Sequence, residues 1–356
     1  MKRRRGLALW PVAGLLLLTA SLFLLGACST VDEPPVPPAP EQDRLSIGIT
    51  FDTFVVERWQ RDRDAFVAAC RNEGADVDVQ NPNGDPEEQA EQIRYFIEQD
   101  MDAILIVAIE PETIREEISA ARAAGIPVIA YDRLIPEQQT DLYISFDSVA
   151  VGRFAGEVLA RELEPGSAIA IINGAPSDHN SSLLREGFEQ GSEAAAFEVV
   201  YETNAIDWRA EEAYSGTLAA LRAAEERGTT LAGIMCANDG LAAEAIRALS
   251  EQRLAGAVLV TGQDADLVAS QHIAEGTQVM TAYKPVERLA QEAAKYALIL
   301  ARGGQIEADE FFSSGSFSIP SVRLEPVLVT AANLQEVIVD SGFHSAQDVY
   351  RFAGQD

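Results

Sequence analysis

Ten short runs rich in Val, Ile and Ala recur between Leu45 and Tyr283, and longer amphipathic stretches rich in Ala, Glu and Arg fill most of the gaps. The runs are Leu45–Phe51, Val77–Gln80, Ala103–Ala108, Val128–Tyr131, Tyr143–Phe146, Ala168–Ile172, Val199–Tyr201, Gly233–Cys236, Val258–Val260 and Val279–Tyr283. Trp59–Asn72, Glu87–Glu98, Glu112–Ala124 and Ala150–Leu163 read as helices between them. Near-continuous apolar strands are buried on both faces, and strands alternating with helices make parallel sheets through right-handed crossovers. Ten strands exceed a common single sheet, so the expected fold is α/β with two doubly wound parallel-sheet lobes. One place breaks the alternation: Tyr143–Phe146 follows Tyr131 with no helix between, and there the chain can cross from one lobe to the other.

The first fifty residues set the compartment. Lys2, Arg3, Arg4 and Arg5 precede an almost wholly apolar run from Leu7 to Leu25, then Leu25-Gly26-Ala27-Cys28. A positive start, an apolar middle and small residues at the cut describe an export signal. An uncleaved membrane anchor is the alternative, because roughly 20 apolar residues can span a bilayer. The following stretch carries Pro34-Pro35, Pro37-Pro38 and Pro40, and reads as an extended spacer. The chain of 356 residues has a formal net charge of -29, which disfavours nucleic acid and anionic membrane faces as partners. Cys70 and Cys236 read as buried free thiols, and no Cys/His spacing suggests zinc.

In open α/β sheets ligands bind beyond the carboxyl ends of the strands. The polar residues there are Glu57-Arg58-Trp59, Asp132-Arg133, Asn238-Asp239, Gly262-Gln263-Asp264 and Lys284, with Trp208 in a loop of the second half. Carboxylates, forked cations and amides accept from and donate to adjacent hydroxyls, while an indole covers an apolar C–H face. That combination points to a sugar. Asp239 and Asp147 also suit helix N-caps, and Arg61-Asp62-Arg63-Asp64 reads as a solvated helix face. Asn83-Gly84-Asp85 reads as a turn, since the acidic spacing of a calcium loop is absent.

Taken in order, several segments resemble one family. They are Glu57-Arg58-Trp59-Gln60 with Arg61-Asp62-Arg63-Asp64, Ala130-Tyr131-Asp132-Arg133, Tyr143-Ile144-Ser145-Phe146-Asp147, Gly262-Gln263-Asp264-Ala265-Asp266, Gly276-Thr277-Gln278, Tyr283-Lys284-Pro285 and Asp340-Ser341-Gly342-Phe343-His344. From Ile47 to about Phe343 the chain is similar to the periplasmic sugar-binding proteins of ABC importers, ribose/galactose type, and most of all to their xylose-binding branch. Cys28 after Leu-Gly-Ala likewise resembles the lipobox of bacterial lipoproteins, which implies cleavage and a lipid on its thiol.

The resemblance implies a periplasmic binding protein type I fold with a three-strand hinge. The implied divisions are a signal at 1–27, a lipidated Cys and linker at 28–44, an N-terminal lobe at 45–146 plus 285–325, and a C-terminal lobe at 147–284 plus 326–356. It implies that Arg58, Trp59, Asp132 and Arg133 line the first lobe. Asn180, Trp208, Asn238 and Asp264 line the second, and Lys284 sits at the hinge. The surroundings of Asn180 match only in part, and Val55 stands where the xylose-binding pattern has a basic residue. The implied activity is capture of a monosaccharide, xylose foremost, for an ABC permease, by a monomer tethered outside the cytoplasm and needing no cofactor. The competing reading is a sensor that passes the sugar signal to a membrane kinase or chemoreceptor. A DNA-binding regulator lacks its basic headpiece here, and no nucleophile–base pair, phosphate loop or metal cluster marks an enzyme.

Overall fold

The computed structural model describes residues 44–308 and 310–353. The export signal, Cys28 and the Pro-rich spacer lie outside the described residues.

The first sheet takes β1 (Ser46–Thr50), β2 (Asp76–Gln80), β3 (Ala103–Ile106), β4 (Val128–Tyr131) and β5 (Leu142–Phe146). Helices α1 (Glu57–Asn72), α2 (Pro86–Glu98) and α3 (Arg115–Ala123) separate the first four strands. The chain then enters α4 (Ser148–Glu162), which opens the second sheet: β6 (Ala168–Asn173), β7 (Glu198–Asn204), β8 (Leu231–Cys236), β9 (Leu259–Gln263) and β10 (Met280–Tyr283). Here α5 (His179–Ser192), α6 (Glu211–Glu226), α7 (Asp239–Glu251) and α8 (Leu267–Glu275) make the crossovers. After β10, α9 (Val286–Ala301) returns to the first sheet, where Leu289, Ala293 and Leu298 join the core of Ile47, Leu105 and Ile144. The hairpin β11 (Glu310–Ser314) and β12 (Phe317–Leu324) follows, and β13 (Val327–Val329) pairs with β10 of the second sheet.

The sheet orders are β11-β12-β5-β4-β3-β1-β2 and β13-β10-β9-β8-β6-β7. All ten apolar runs are strands, and the architecture is the two-lobed α/β fold expected. Each parallel sheet also ends in one antiparallel strand, β11 or β13. The hairpin and β13 were not expected, because a search for continuous apolar runs finds strands covered on both faces. In β12 the buried positions are Ile319, Ser321 and Leu324, with polar or half-covered residues between. Pro320 faces only β11, since pairing with β5 begins at Ser321, so its missing N–H costs the sheet nothing.

The link without a helix, 132–141, joins two parallel neighbours of one sheet rather than leading out of it. Leu134 and Ile135 bury that link against β12. The chain passes between sheets elsewhere, in three places: after Phe146, at Lys284-Pro285 and at Glu325-Pro326. Asp147 caps α4 by accepting from the Ala150 N–H at 2.9 Å. Asn83 and Gly84 hold φ of 53° and 81° in the tight turn that leads to Asp85, the cap of α2. Cys70 and Cys236 are buried free thiols.

Candidate functional site

The carboxyl ends of both sheets converge on one cavity. All nine residues singled out from the sequence line it: Arg58, Trp59, Asp132, Arg133, Asn180, Trp208, Asn238, Asp264 and Lys284. Val56, Ser148, Asp178 and Gln263 complete the wall.

Helix α1 begins just after β1, so its first turn brings Arg58 and Trp59 over the strand ends. The Arg58 guanidinium lies 4.3 Å above the Trp59 ring. Its Nη2 pairs with Asp132 Oδ2 at 2.8 Å, and its Nη1 faces Asp264 Oδ1 across the cleft at 3.8 Å. Behind it, Asp62 pairs with Arg58 Nε at 3.3 Å and accepts from the Tyr131 hydroxyl. Asp62 is fully buried, so the charged run of α1 is not a solvated face throughout. Position 62 lies one turn beyond 58, on the face that meets the sheet. Burial pulls the Arg58 pKa down, but Asp132, Asp62 and Asp264 outweigh it and hold the cation well above its ordinary value.

Arg133, at the end of β4, pairs with Asp52 at 2.6 Å and with Asp178 of the second lobe at 2.9 Å, and donates to the Ala108 carbonyl at 3.0 Å. Asp178 also caps α5, accepting from the Asn180 N–H. Asn180 in turn donates to the Asp132 carbonyl at 3.1 Å and accepts from the Ser148 hydroxyl at 3.1 Å. Burial pushes Asp132 up, yet Arg58, Lys284 and Arg133 together bring it below the usual carboxylate value. For Asp178 burial wins over Arg133, and the net shift is upward.

In the second lobe, Asp207 and Trp208 both hold left-handed φ, 53° and 56°. This non-glycine strain accompanies an indole that lies over Gly174, where a Cβ would overlap the ring. Asn238 caps α7 through its side-chain oxygen, taking the role the sequence allowed to Asp239. Asp239 is instead the first residue of the helix, buried beneath the pocket floor. Lys284 pairs with Asp264 Oδ1 at 2.9 Å.

Four polar atoms of the wall have no hydrogen-bond partner among the described residues: Trp59 Nε1, Trp208 Nε1, Gln263 Oε1 and Asp264 Oδ1. The Lys284 ammonium neutralises Asp264 Oδ1 without hydrogen-bond alignment, so this oxygen can still accept. Buried polar groups are seldom left unpaired, and these four are two donors and two acceptors that a ligand can satisfy. Gln263 was quoted from the sequence only as part of a motif, and its position at the very end of β9 is the signal that marks it. Val55, by contrast, is 90% exposed and lies in a wider outer cavity at the mouth, with Asp207 and Arg209. Among the described residues no cluster of His, Cys, Asp and Glu is arranged to hold a metal ion.

Residues 47–305 match the family described as periplasmic binding protein domain, and the chain belongs to that family. It is a family of extracytoplasmic solute-binding proteins and not of enzymes. The D-xylose-binding periplasmic protein of Haemophilus influenzae is 36% identical over 310 residues, covering 86% of this chain and 92% of that protein. The D-xylose-binding periplasmic protein of Escherichia coli is 35% identical over 309 residues, with the same coverage. Among solved structures, an ABC transporter solute-binding protein from Clostridium phytofermentans with bound β-D-glucose superposes with a TM-score of 0.78 at 26% identity, covering 85% of this chain and 99% of that one. A carbohydrate transporter solute-binding protein from Chloroflexus aurantiacus in complex with D-glucose gives 0.78 at 29% identity, covering 86% and 98%.

Proposed function

We propose that this protein captures one neutral monosaccharide, D-xylose foremost, between its two lobes and delivers it to an ABC permease. The observation that carries this reading is the charge pairing of the cavity. Arg58 faces Asp132 and Asp62, Arg133 faces Asp52 and Asp178, and Lys284 faces Asp264. No lining cation is left unpaired among the described residues to recognise a phosphate or a sugar acid. The unpartnered groups are two indole N–H donors, one amide oxygen and one carboxylate oxygen, the complement of uncharged hydroxyls.

Asp132 and Asp264 would accept from hydroxyls, Arg58, Arg133 and Lys284 would donate, and Trp59 and Trp208 would cover the ring faces. Asn238, whose side-chain oxygen caps α7, would donate through its amide nitrogen, and Asn180 would hold the Asp132 carbonyl in place. The lobes would be residues 45–146 plus 285–325 and 147–284 plus 326–356, closing about the three connecting segments. Sugar contacts made to both lobes at once would stabilise the closed state. Cys28, following Leu25-Gly26-Ala27, would carry the lipid that anchors the receptor at the outer face of its membrane.

D-xylose is favoured by the relatives at 35–36% identity, and D-glucose is the second candidate from the solved structures. Tryptophan fluorescence separates them, since Trp59 and Trp208 both line the cavity. A saturable change with D-xylose, at concentrations at least tenfold below those needed for D-glucose, is expected. Asp264→Ala should weaken that response at least tenfold. The reverse order of sugars would reassign the ligand, and an unaltered response in Asp264→Ala would refute the site.

A further inference from the structure

Asp264, the acceptor on the second lobe, sits in an awkward turn. It has φ of 99° and the next residue, Ala265, has φ of 56°. Neither is glycine, and such strained conformations persist only where the surrounding structure holds them. What holds this turn lies beneath it. The Asp239 carboxylate is 2% exposed and accepts three hydrogen bonds: from the Asp266 N–H at 3.1 Å, the Thr281 hydroxyl at 2.7 Å and the Gln278 amide at 2.8 Å. The Thr281 hydroxyl itself accepts from the Ala265 N–H at 3.1 Å. Both amides after Asp264 are therefore tied, directly or through one hydroxyl, to a single carboxylate. Gly262 leaves the space it occupies, since a Cβ there would overlap Asp239 Oδ1.

We propose that Asp239 is a positioning residue for ligand binding: it holds the left-handed Asp264–Ala265 turn from below and so fixes where the Asp264 carboxylate meets the ligand. The inference rests on the sugar-receptor reading for its affinity readout, but not for its structural one.

The three groups around Asp239 all donate, which is the environment of an ionised carboxylate. Burial works against that charge. Burial, with the nearby Asp264 charge assisting, pushes the Asp239 carboxyl up to about 8, against the opposing hydrogen bonds from Thr281, Gln278 and Asp266. Protonation would place a donor among donors and loosen the turn. The charged and titratable neighbours are Asp264 and Asp266 on the turn, and Cys236 on β8. Glu57 and Arg61 of α1 lie beyond Asp266, Arg58 and Lys284 beyond Asp264, and His344 contacts the Ala265 carbonyl. Sugar affinity should accordingly rise with pH as Asp239 ionises.

The test compares wild type, Asp239→Asn and Asp266→Asn. Hydrogen exchange of the segment 261–268 is measured without sugar, and D-xylose and D-glucose binding by calorimetry at pH 6 and pH 9. Asp239→Asn should speed exchange in that segment at least tenfold and weaken sugar binding at least tenfold at pH 9. Wild type and Asp266→Asn should bind at least threefold more tightly at pH 9 than at pH 6, and Asp239→Asn should lose that dependence. Unchanged exchange, or a pH dependence that survives in Asp239→Asn, overturns the proposal. Should Asp239→Asn fail to fold, Thr281→Val removes the hydroxyl link to Ala265, and it too must speed exchange. If wild type binds neither sugar, the ligand reading falls while the exchange comparison still decides the role of Asp239.

Discussion

Trp208 enters the cavity only because of what position 174 lacks. The indole and the Ser181 hydroxyl both occupy the space that a Cβ on Gly174 would take. Gly174→Ala should displace Trp208 and weaken sugar binding about tenfold, roughly 1.4 kcal/mol, and should lower the thermal midpoint by pushing the buried Ser181 hydroxyl off the Ala175 carbonyl. Calorimetry paired with a melting curve checks both parts. At this scale the sequence showed which residue types end up at strand ends, and all nine expected residues meet at the cavity. It did not show what stands behind them. Asp62 and Arg58 lie one helical turn apart in a run of alternating charge, and only the sheet packed on one face separates buried Asp62 from half-exposed Arg61 and Arg63. Asp239 is similar: it looked like a capping residue, and the cap of α7 proved to be Asn238.

Elements of the second lobe are held by close approach as well as by apolar area. Gly152 and Gly156 of α4 lie against the backbone carbonyls of Leu184 and Phe188 on α5, while Gly187 and Gly191 of α5 lie against those of Val149 and Arg153. Four-residue spacing keeps each glycine pair on one helix face. A methyl group at Gly152 has nowhere to go, because its neighbour is backbone. Gly152→Ala should therefore destabilise the protein by about 1–3 kcal/mol or more, read as a lower denaturant midpoint. Gly303→Ala, an open site at φ 73° in the turn after α9, should cost less. The strands were legible because burial on both faces leaves an unbroken apolar run. The β11–β12 hairpin was not, because one covered face leaves alternation that short polar residues such as Ser321 obscure.

The whole molecule concentrates negative charge inside as well as outside. The chain carries a formal net charge of -29, and the carboxyls of Asp62, Asp178, Asp239 and Asp266 are all pushed upward, burial being the first cause in each. A carboxyl whose folded pKa exceeds its unfolded value binds extra protons in the fold. Its contribution is fully present below the unfolded pKa and is lost as pH rises through the folded pKa. For Asp239 this window runs from about 4 to about 8. Asp132 and Glu202, shifted downward, oppose the trend only at acid pH within the ordinary carboxylate range, and His179, His272 and His344, shifted downward by burial, oppose it only below about 6.5. The thermal midpoint should therefore be higher near pH 5.5 than near pH 8.5, and Asp239→Asn should flatten the slope. If the positioning role holds, ionised Asp239 improves the pocket at the expense of the fold, a trade of stability for function.

Titration calorimetry on residues 43–356 tests most directly whether the paired cavity recognises a neutral sugar. The panel is D-xylose, D-glucose, L-arabinose and D-ribose, set against glucuronate and glucose 6-phosphate. One-to-one binding to a neutral aldose, with no heat from either anion, is the predicted result. Preferential binding of an anion, or silence with every neutral sugar, would contradict it.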